Sequence, residues 1–152
     1  MNVTHKINNG GLAGIAKKLQ ELKKTKIEVG ILKDMSYPIS GASLLTVAMT
    51  HEFGSAKRGI PARKPLRGTA ELKKNEIKDK LKKMTKKCLE SGDVKIEANK
   101  IGAWFASEVK RTVKAGGAVY IPNAQSTIDA KGENKPLVDT GLLMRSYTWR
   151  LA

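Results

Sequence analysis

The sequence is poor in the residues that build most chemical centres. It holds one cysteine, Cys88, and two histidines, His5 and His51. A lone cysteine excludes an intramolecular disulfide, and no Cys/His cluster with metal-ligand spacing surrounds it. That usage points to a reducing compartment. Aromatic residues make up 5% of the chain, so a core has to rest on Leu, Ile, Val, Ala and Met. No apolar run approaches the roughly 20 residues of a membrane-spanning helix, so no membrane partner is expected. Residues 1–9 are polar and lack the apolar stretch of a secretion signal, which leads to an expected place in the cytoplasm until assembly.

Acids are also scarce. Against 29 lysines and arginines stand 14 aspartates and glutamates, for a formal net charge of +15 over 152 residues. That length suffices for one domain with a real core. Such a surplus attracts anions: nucleic acid, acidic protein surfaces or anionic lipid. Composition does not choose among them.

The known catalytic patterns are missing. His51-Glu52 starts like a zinc-protease helix, but Ser55 stands where the second histidine of H-E-x-x-H would be. There is no G-x-x-x-x-G-K loop and no G-x-S-x-G elbow. Cys88 lies on an apolar helical stripe, where a small buried residue is expected. The expectation is therefore no enzyme, no cofactor and no metal. Sequence-specific DNA reading is equally unsupported, since no helix-turn-helix, zinc-finger or RNP pattern is present.

The periodicity that is present alternates between helix and strand. Leu12, Ile15, Ala16, Leu19 and Leu22 recur at helical spacing up to about residue 24, predicting an amphipathic helix packed on a sheet. Ile27, Val29 and Ile31 alternate with other residues over 26–32, as in a half-buried strand. A loop over 33–41 precedes a helix over 42–53 with Leu45, Ala48, Met49 and Phe53 at helical spacing and Gly54 as C-cap. His51 sits in its last turn, where the helix dipole favours a protonated ring.

Residues 55–59 form a loop tip with Lys57 and Arg58 exposed. Pro61 and Pro65 then stiffen 60–67 without placing it in a sheet. A long helix is expected over 66–89, with Leu66, Ala70, Ile77, Leu81, Met84 and Cys88 on one stripe and eight lysines between positions 73 and 87 on the other. Glu76–Lys80 and Asp79–Lys83 have the spacing of i,i+4 ion pairs. The lysine face is either solvated or set against an acidic neighbour or phosphates. A second long helix over 94–114 places Ile101, Trp104, Phe105, Val109 and Val113 inward, with the two aromatics as the largest core contributors.

The irregular stretch 115–138 holds room for a short helix over 124–130, capped by Asn123 or Ser126. Asp139 is placed to N-cap a short helix through 144, and 146–151 alternates as a strand returning to 26–32, with Tyr147, Trp149 and Leu151 on one face. The fold class is α+β: one domain with a small antiparallel or mixed sheet packed against two long helices, and loops projecting at about 54–67 and 115–138.

Two segments carry a resemblance. His51-Glu52-Phe53-Gly54, followed by Ile60-Pro61-Ala62-Arg63-Lys64-Pro65-Leu66-Arg67, resembles the HEFG…IPARPFLR signature of tailed-bacteriophage neck and tail-completion proteins, the gpG-like virion morphogenesis group. Pro136-Leu137-Val138-Asp139-Thr140-Gly141-Leu142-Leu143 with Ser146 resembles their C-terminal PLxDTGxLxxS signature. The two occur in the family order, and the resemblance spans the chain from about Val29 onward. It departs at 64–66, where Lys-Pro-Leu replaces Pro-Phe-Leu and an aromatic is lacking.

The resemblance implies a structural, non-catalytic virion protein that completes the tail or joins it to a filled head. It implies a homo-oligomeric ring, a hexamer or dodecamer, between the portal or connector and the tail tube or tail terminator, with DNA passing through the channel. The expected interface residues are His51, Glu52, Phe53, Arg58, Pro61, Arg63, Lys64, Pro65, Arg67, Asp139 and Thr140. Arg63 and Arg67 suit forked bonds to carboxylates of a neighbour, or pairing within the fold. Asp139 suits a helix cap or a contact. The alternative reading is a non-specific DNA-binding protein that uses the lysine face.

Overall fold

In the computed structural model, residues 11–38, 40–116, 120–132, 134–137 and 140–152 are described. The chain is α+β: mostly helical, with a small two-stranded antiparallel sheet. Its elements are α1 (Gly11–Lys24), β1 (Ile27–Gly30), α2 (Leu44–Phe53), α3 (Pro65–Leu72), α4 (Lys74–Glu90), α5 (Val94–Ala115), α6 (Gln125–Lys131), α7 (Leu142–Ser146) and β2 (Thr148–Leu151). A single 3₁₀ turn, Ala56–Arg58, lies between α2 and α3.

The axis of the molecule is α5. Asp93 starts it by accepting from the Ile96 N–H at 2.9 Å. At its N-terminal end, Val94 and Ala98 pack with Met84 and Cys88 of α4, joined by Leu22, Ile27, Ile101 and Leu151. At its C-terminal end, Val109 and Val113 pack with Leu44, Ala48, Tyr120, Leu137, Leu143 and Tyr147. Both strands lie on α5. The pairing runs from Ile27 opposite Leu151 to Gly30 opposite Thr148, so the C-terminal strand returns to the N-terminal one as the alternation of 146–151 predicts, over a shorter span.

That close packing depends on a gap in α5. Gly102 lies under Trp149, and a Cβ there would meet the indole Cδ1 at 2.4 Å and Ile27 Cγ2 at 3.2 Å. Trp149 then reaches across with its Nε1–H to Asn99 Oδ1 at 3.3 Å.

Three expectations about facing and extent are corrected or completed. The helix expected over 66–89 is two helices, because the backbone turns at Lys73 (φ −98°, ψ 9°). Lys73 reaches Glu108 of α5 at 3.0 Å and Glu76 at 3.1 Å from that bend, which lets both α3 and α4 follow α5. Second, α2 presents Leu44 and Ala48 to the core, while Leu45, Met49 and Phe53 are 44%, 52% and 57% exposed. Third, Trp104 and Phe105 are only half-buried; the largest fully enclosed side chains of α5 are Val94, Val109 and Val113. Lys80 stacks its ammonium 4.6 Å from the Trp104 ring centre and takes up part of that face.

The first helix docks loosely. None of its residues is buried, and Leu12 and Leu19 face outward. It is latched by Lys18, whose Nζ donates to the carbonyls of Cys88 at 2.7 Å and Gly92 at 3.3 Å, at the C-terminal end of α4 where a cation complements the helix dipole. No helix among the described residues is long and apolar enough to cross a membrane.

Candidate interaction surface

The two motif segments form one brace. Ser43 caps the start of α2 by accepting from the Thr46 N–H at 3.1 Å, and Asp34 accepts from Leu45 N–H at 3.0 Å and from the Ser43 hydroxyl. The Leu45 N–H and the Ser43 hydroxyl hold the Asp34 carboxyl below its ordinary range. At the other end α2 stops at Gly54, with φ 79°, a conformation open to glycine. A Cβ there would also meet the Ala62 nitrogen at 2.9 Å, so the proline-rich segment can lie against the helix end only because residue 54 is glycine.

That segment is strapped down along its length. Ser55 and Ile60 exchange backbone bonds of 2.8 and 3.0 Å, closing the turn over 56–59. The N–H groups of Arg63 and Lys64 both donate to the His51 carbonyl, at 2.8 and 3.1 Å. Pro65 is buried at the first position of α3, where its missing N–H costs nothing. The next two N–H groups, of Leu66 and Arg67, donate to the Glu52 carboxylate at 2.9 and 3.0 Å. Glu52 thus caps α3 from the last turn of α2, a negative charge on the positive end of a helix dipole. Arg67 closes the loop with Nε on Glu52 at 2.9 Å, and its guanidinium lies 4.5 Å over the Phe53 ring.

Arg63 also turns inward. Its Nε donates to the Ile121 carbonyl at 3.2 Å, and its Nη2 to the Pro122 carbonyl at 3.3 Å and to Asn123 Oδ1 at 3.2 Å. Its Nη1 lies 3.4 Å from His51 Nδ1, a nitrogen that can only accept there. Partial burial depresses the guanidinium's affinity for its proton. Arg63 therefore ties the 54–67 segment to the 115–138 segment. Along the segment expected as a projecting arm, residues 56–59, Lys64 and Arg67 are exposed.

The second motif meets the first. His51, Val47 and Tyr37 share a concave patch of about 350 Å³ with Leu137, Thr140, Gly141, Leu142 and Leu143. The Thr140 hydroxyl accepts from the Leu142 N–H at 3.3 Å, and the Thr140 carbonyl accepts from Arg145 at 3.0 Å. The Asp139 cap lies outside the described residues. Asn123, expected as a cap for α6, instead accepts from Arg63 and donates its own N–H to Asn134 at 3.0 Å; α6 starts at Ala124 without a side-chain cap.

Of the expected interface residues, His51, Glu52, Arg63, Pro65 and Arg67 are thus engaged within the fold, and Pro61 is half-buried. Phe53, Arg58, Lys64, Arg67 and Thr140 are exposed. Sequence reasoning missed Leu45 and Met49, which line up with Phe53 at i, i+4 and i+8 as an outward apolar stripe. The signal was present in the two leucines at 44 and 45, which give α2 two apolar faces.

The lysine face is partly neutralised. Lys73 pairs with Glu108 and Glu76, Lys87 and Lys100 with Glu97 at 2.8 and 2.7 Å, and Lys86 with Glu90 at 3.9 Å. The hydrogen bonds from Lys100 and Lys87 hold the Glu97 carboxyl low. Glu76 and Lys80 form the expected i,i+4 pair at 4.0 Å. No carboxylate among the described residues pairs with Lys74, Lys78, Lys82 or Lys83. Burial pushes the Cys88 thiol up and away from nucleophilic use. Among the described residues, no group of three or more His, Cys, Asp or Glu is placed to hold a metal. No protein-family model, curated protein or solved structure matches this chain.

Proposed function

We propose that the chain is a structural protein of the tailed-phage neck or tail-completion type, joining subunits rather than transforming a substrate. The observation that carries this reading is the meeting of its two motifs. Described residues of the HEFG…IPARKPLR and PLVDTGLL segments, more than 60 residues apart in sequence, line one concave patch at one end of the molecule, which also carries an outward apolar stripe. A brace of this kind suits a protein that presents a fixed contact face to a neighbour. Assembly in the host cytoplasm would deliver the protein to the virion neck or tail, as a ring of identical copies between the connector and the tail tube or terminator.

The contact face in this reading is Leu45, Met49 and Phe53, with Lys57 and Arg58 of the adjoining turn. Met49→Asp should block head–tail joining while changing the unfolding free energy by no more than about 0.5 kcal/mol, the range of ordinary surface changes. Electron microscopy of particles assembled without the protein is the direct test. Unjoined heads and tails are expected, and fully joined particles would refute the assignment. Charge reversal at Arg63 is a poor test, because it would set a carboxylate against three internal acceptors.

The second reading, non-specific DNA contact, rests on Lys74, Lys78, Lys82 and Lys83, which no carboxylate among the described residues neutralises. It requires duplex retardation at low salt that falls steeply as salt rises. An unshifted duplex at low salt would discard it.

A further inference from the structure

Among the described residues nothing pairs with the outer edge of β1, which lies beside an apolar groove. Lys26 and Ala152 exchange both of their backbone bonds, at 3.1 and 3.0 Å. In an antiparallel ladder the bonded pairs alternate, so Glu28 and Gly30 also face β2, whereas the N–H and C=O groups of Ile27 and Val29 point the other way. No described residue pairs with those outer groups. An unpaired edge of this kind is a template for another strand.

Beside that edge lies a groove of about 450 Å³. Ile27 and Val29 form one wall, Leu66, Ala70, Ile77 and Leu81 of α3 and α4 the other, and Ile101, Trp104 and Phe105 the floor. A strand laid on β1 would send alternate side chains into this groove, because side chains on a strand point to opposite faces in turn. The rim is basic. Lys80 holds its ammonium 4.6 Å from the ring of Trp104 on the groove floor, Lys26 precedes Ile27 at the strand edge, and α4 as a whole carries seven lysines against three acids.

We propose that β1 and this groove bind an extended segment of an acidic partner protein, in which apolar residues alternate with Asp or Glu. Main-chain pairing with Ile27 and Val29 holds the segment, and the groove and the lysine rim select it. This binding mode does not depend on the neck assignment; it would hold for a protein of any assembly.

The test uses the full chain and a synthetic peptide of alternating valine and glutamate. On binding, amide exchange at Ile27 and Val29 should slow by roughly tenfold or more, while Glu28 and Gly30, already bonded to β2, stay unchanged. The same peptide with lysine in place of glutamate should give no slowing, and added salt should weaken the glutamate peptide. Val29→Pro removes an outward N–H without touching the β1–β2 ladder, and should abolish the response with β2 still protected. Should Val29→Pro fail to fold, Leu81→Asp on the partly exposed groove wall should weaken binding roughly tenfold in its place. Unchanged exchange at Ile27 and Val29, equal binding of the lysine peptide, or protection of those amides by self-association of the chain alone would each overturn the proposal.

Discussion

The two ends of α5 are built differently. At the C-terminal end, α2, α3 and the 120–123 segment are cross-tied by charged and backbone hydrogen bonds: Glu52 to three N–H groups, Arg63 to three acceptors, His51 to two amides. At the N-terminal end the core is the smaller cluster of Met84, Cys88, Val94 and Ala98, β1 has an edge that no described residue pairs, and α1 hangs on Lys18. The residues with the most distinctive chemistry sit at the first end and point inward. The surface available to partners is plainer: an apolar stripe there, and an apolar groove with lysines at the other. A dense motif can therefore mark the part that holds a contact face still rather than the face itself.

That contrast can be broken or sharpened by substitution. The largest effect is expected where the two halves share α5. Gly102→Ala drives a methyl into Trp149 and should cost about 3 kcal/mol in urea unfolding, as overpacking of a tight contact does. Most of that loss should vanish in a Trp149→Ala background; an additive double mutant would show that the clash is not the cause. Next come the cross-ties. Glu52→Ala removes the α3 cap and its ion pair and should cost about 1–2 kcal/mol. Leu81→Ala, on the partly exposed groove wall, should cost less than about 1 kcal/mol. Equal losses for these two would erase the distinction between a braced end and an open one.

The smallest effect is pH-dependent. The folded Asp34 carboxyl titrates below its ordinary value of 3.8 because the Leu45 N–H and the Ser43 hydroxyl favour its ionised form. Its contribution is complete above that ordinary value and is lost as pH falls below it. Asp34→Asn should thus lower stability at neutral pH and make no difference in strong acid, a convergence that thermal melts across the acid range would reveal.

Much of the chain is legible without a structure. The 3.6-residue period places α1, α2 and α5, the alternation at 27–31 and 147–151 gives both strands, and Gly54 marks the end of α2. Direction was harder. The sequence around Leu44 and Leu45 offers α2 two apolar faces, and only the packing of Val109, Tyr120 and Tyr147 against Leu44 selects one. The break at Lys73 has no glycine or proline to announce it; at that bend Lys73 pairs with Glu108, which lies 35 residues away. Nor does a cap supplied 14 residues upstream, Glu52 for α3, leave a local signature.

By itself the sequence determined what depends on neighbours along the chain: which stretches coil, which extend, where glycine and proline end them, and how strongly basic the whole is. The tertiary structure alone decided which arginines are consumed inside, which apolar residues are left outside, and which strand edge stays open. Those outcomes depend on contacts between distant segments, and a side chain's partner is fixed only once the helices are packed.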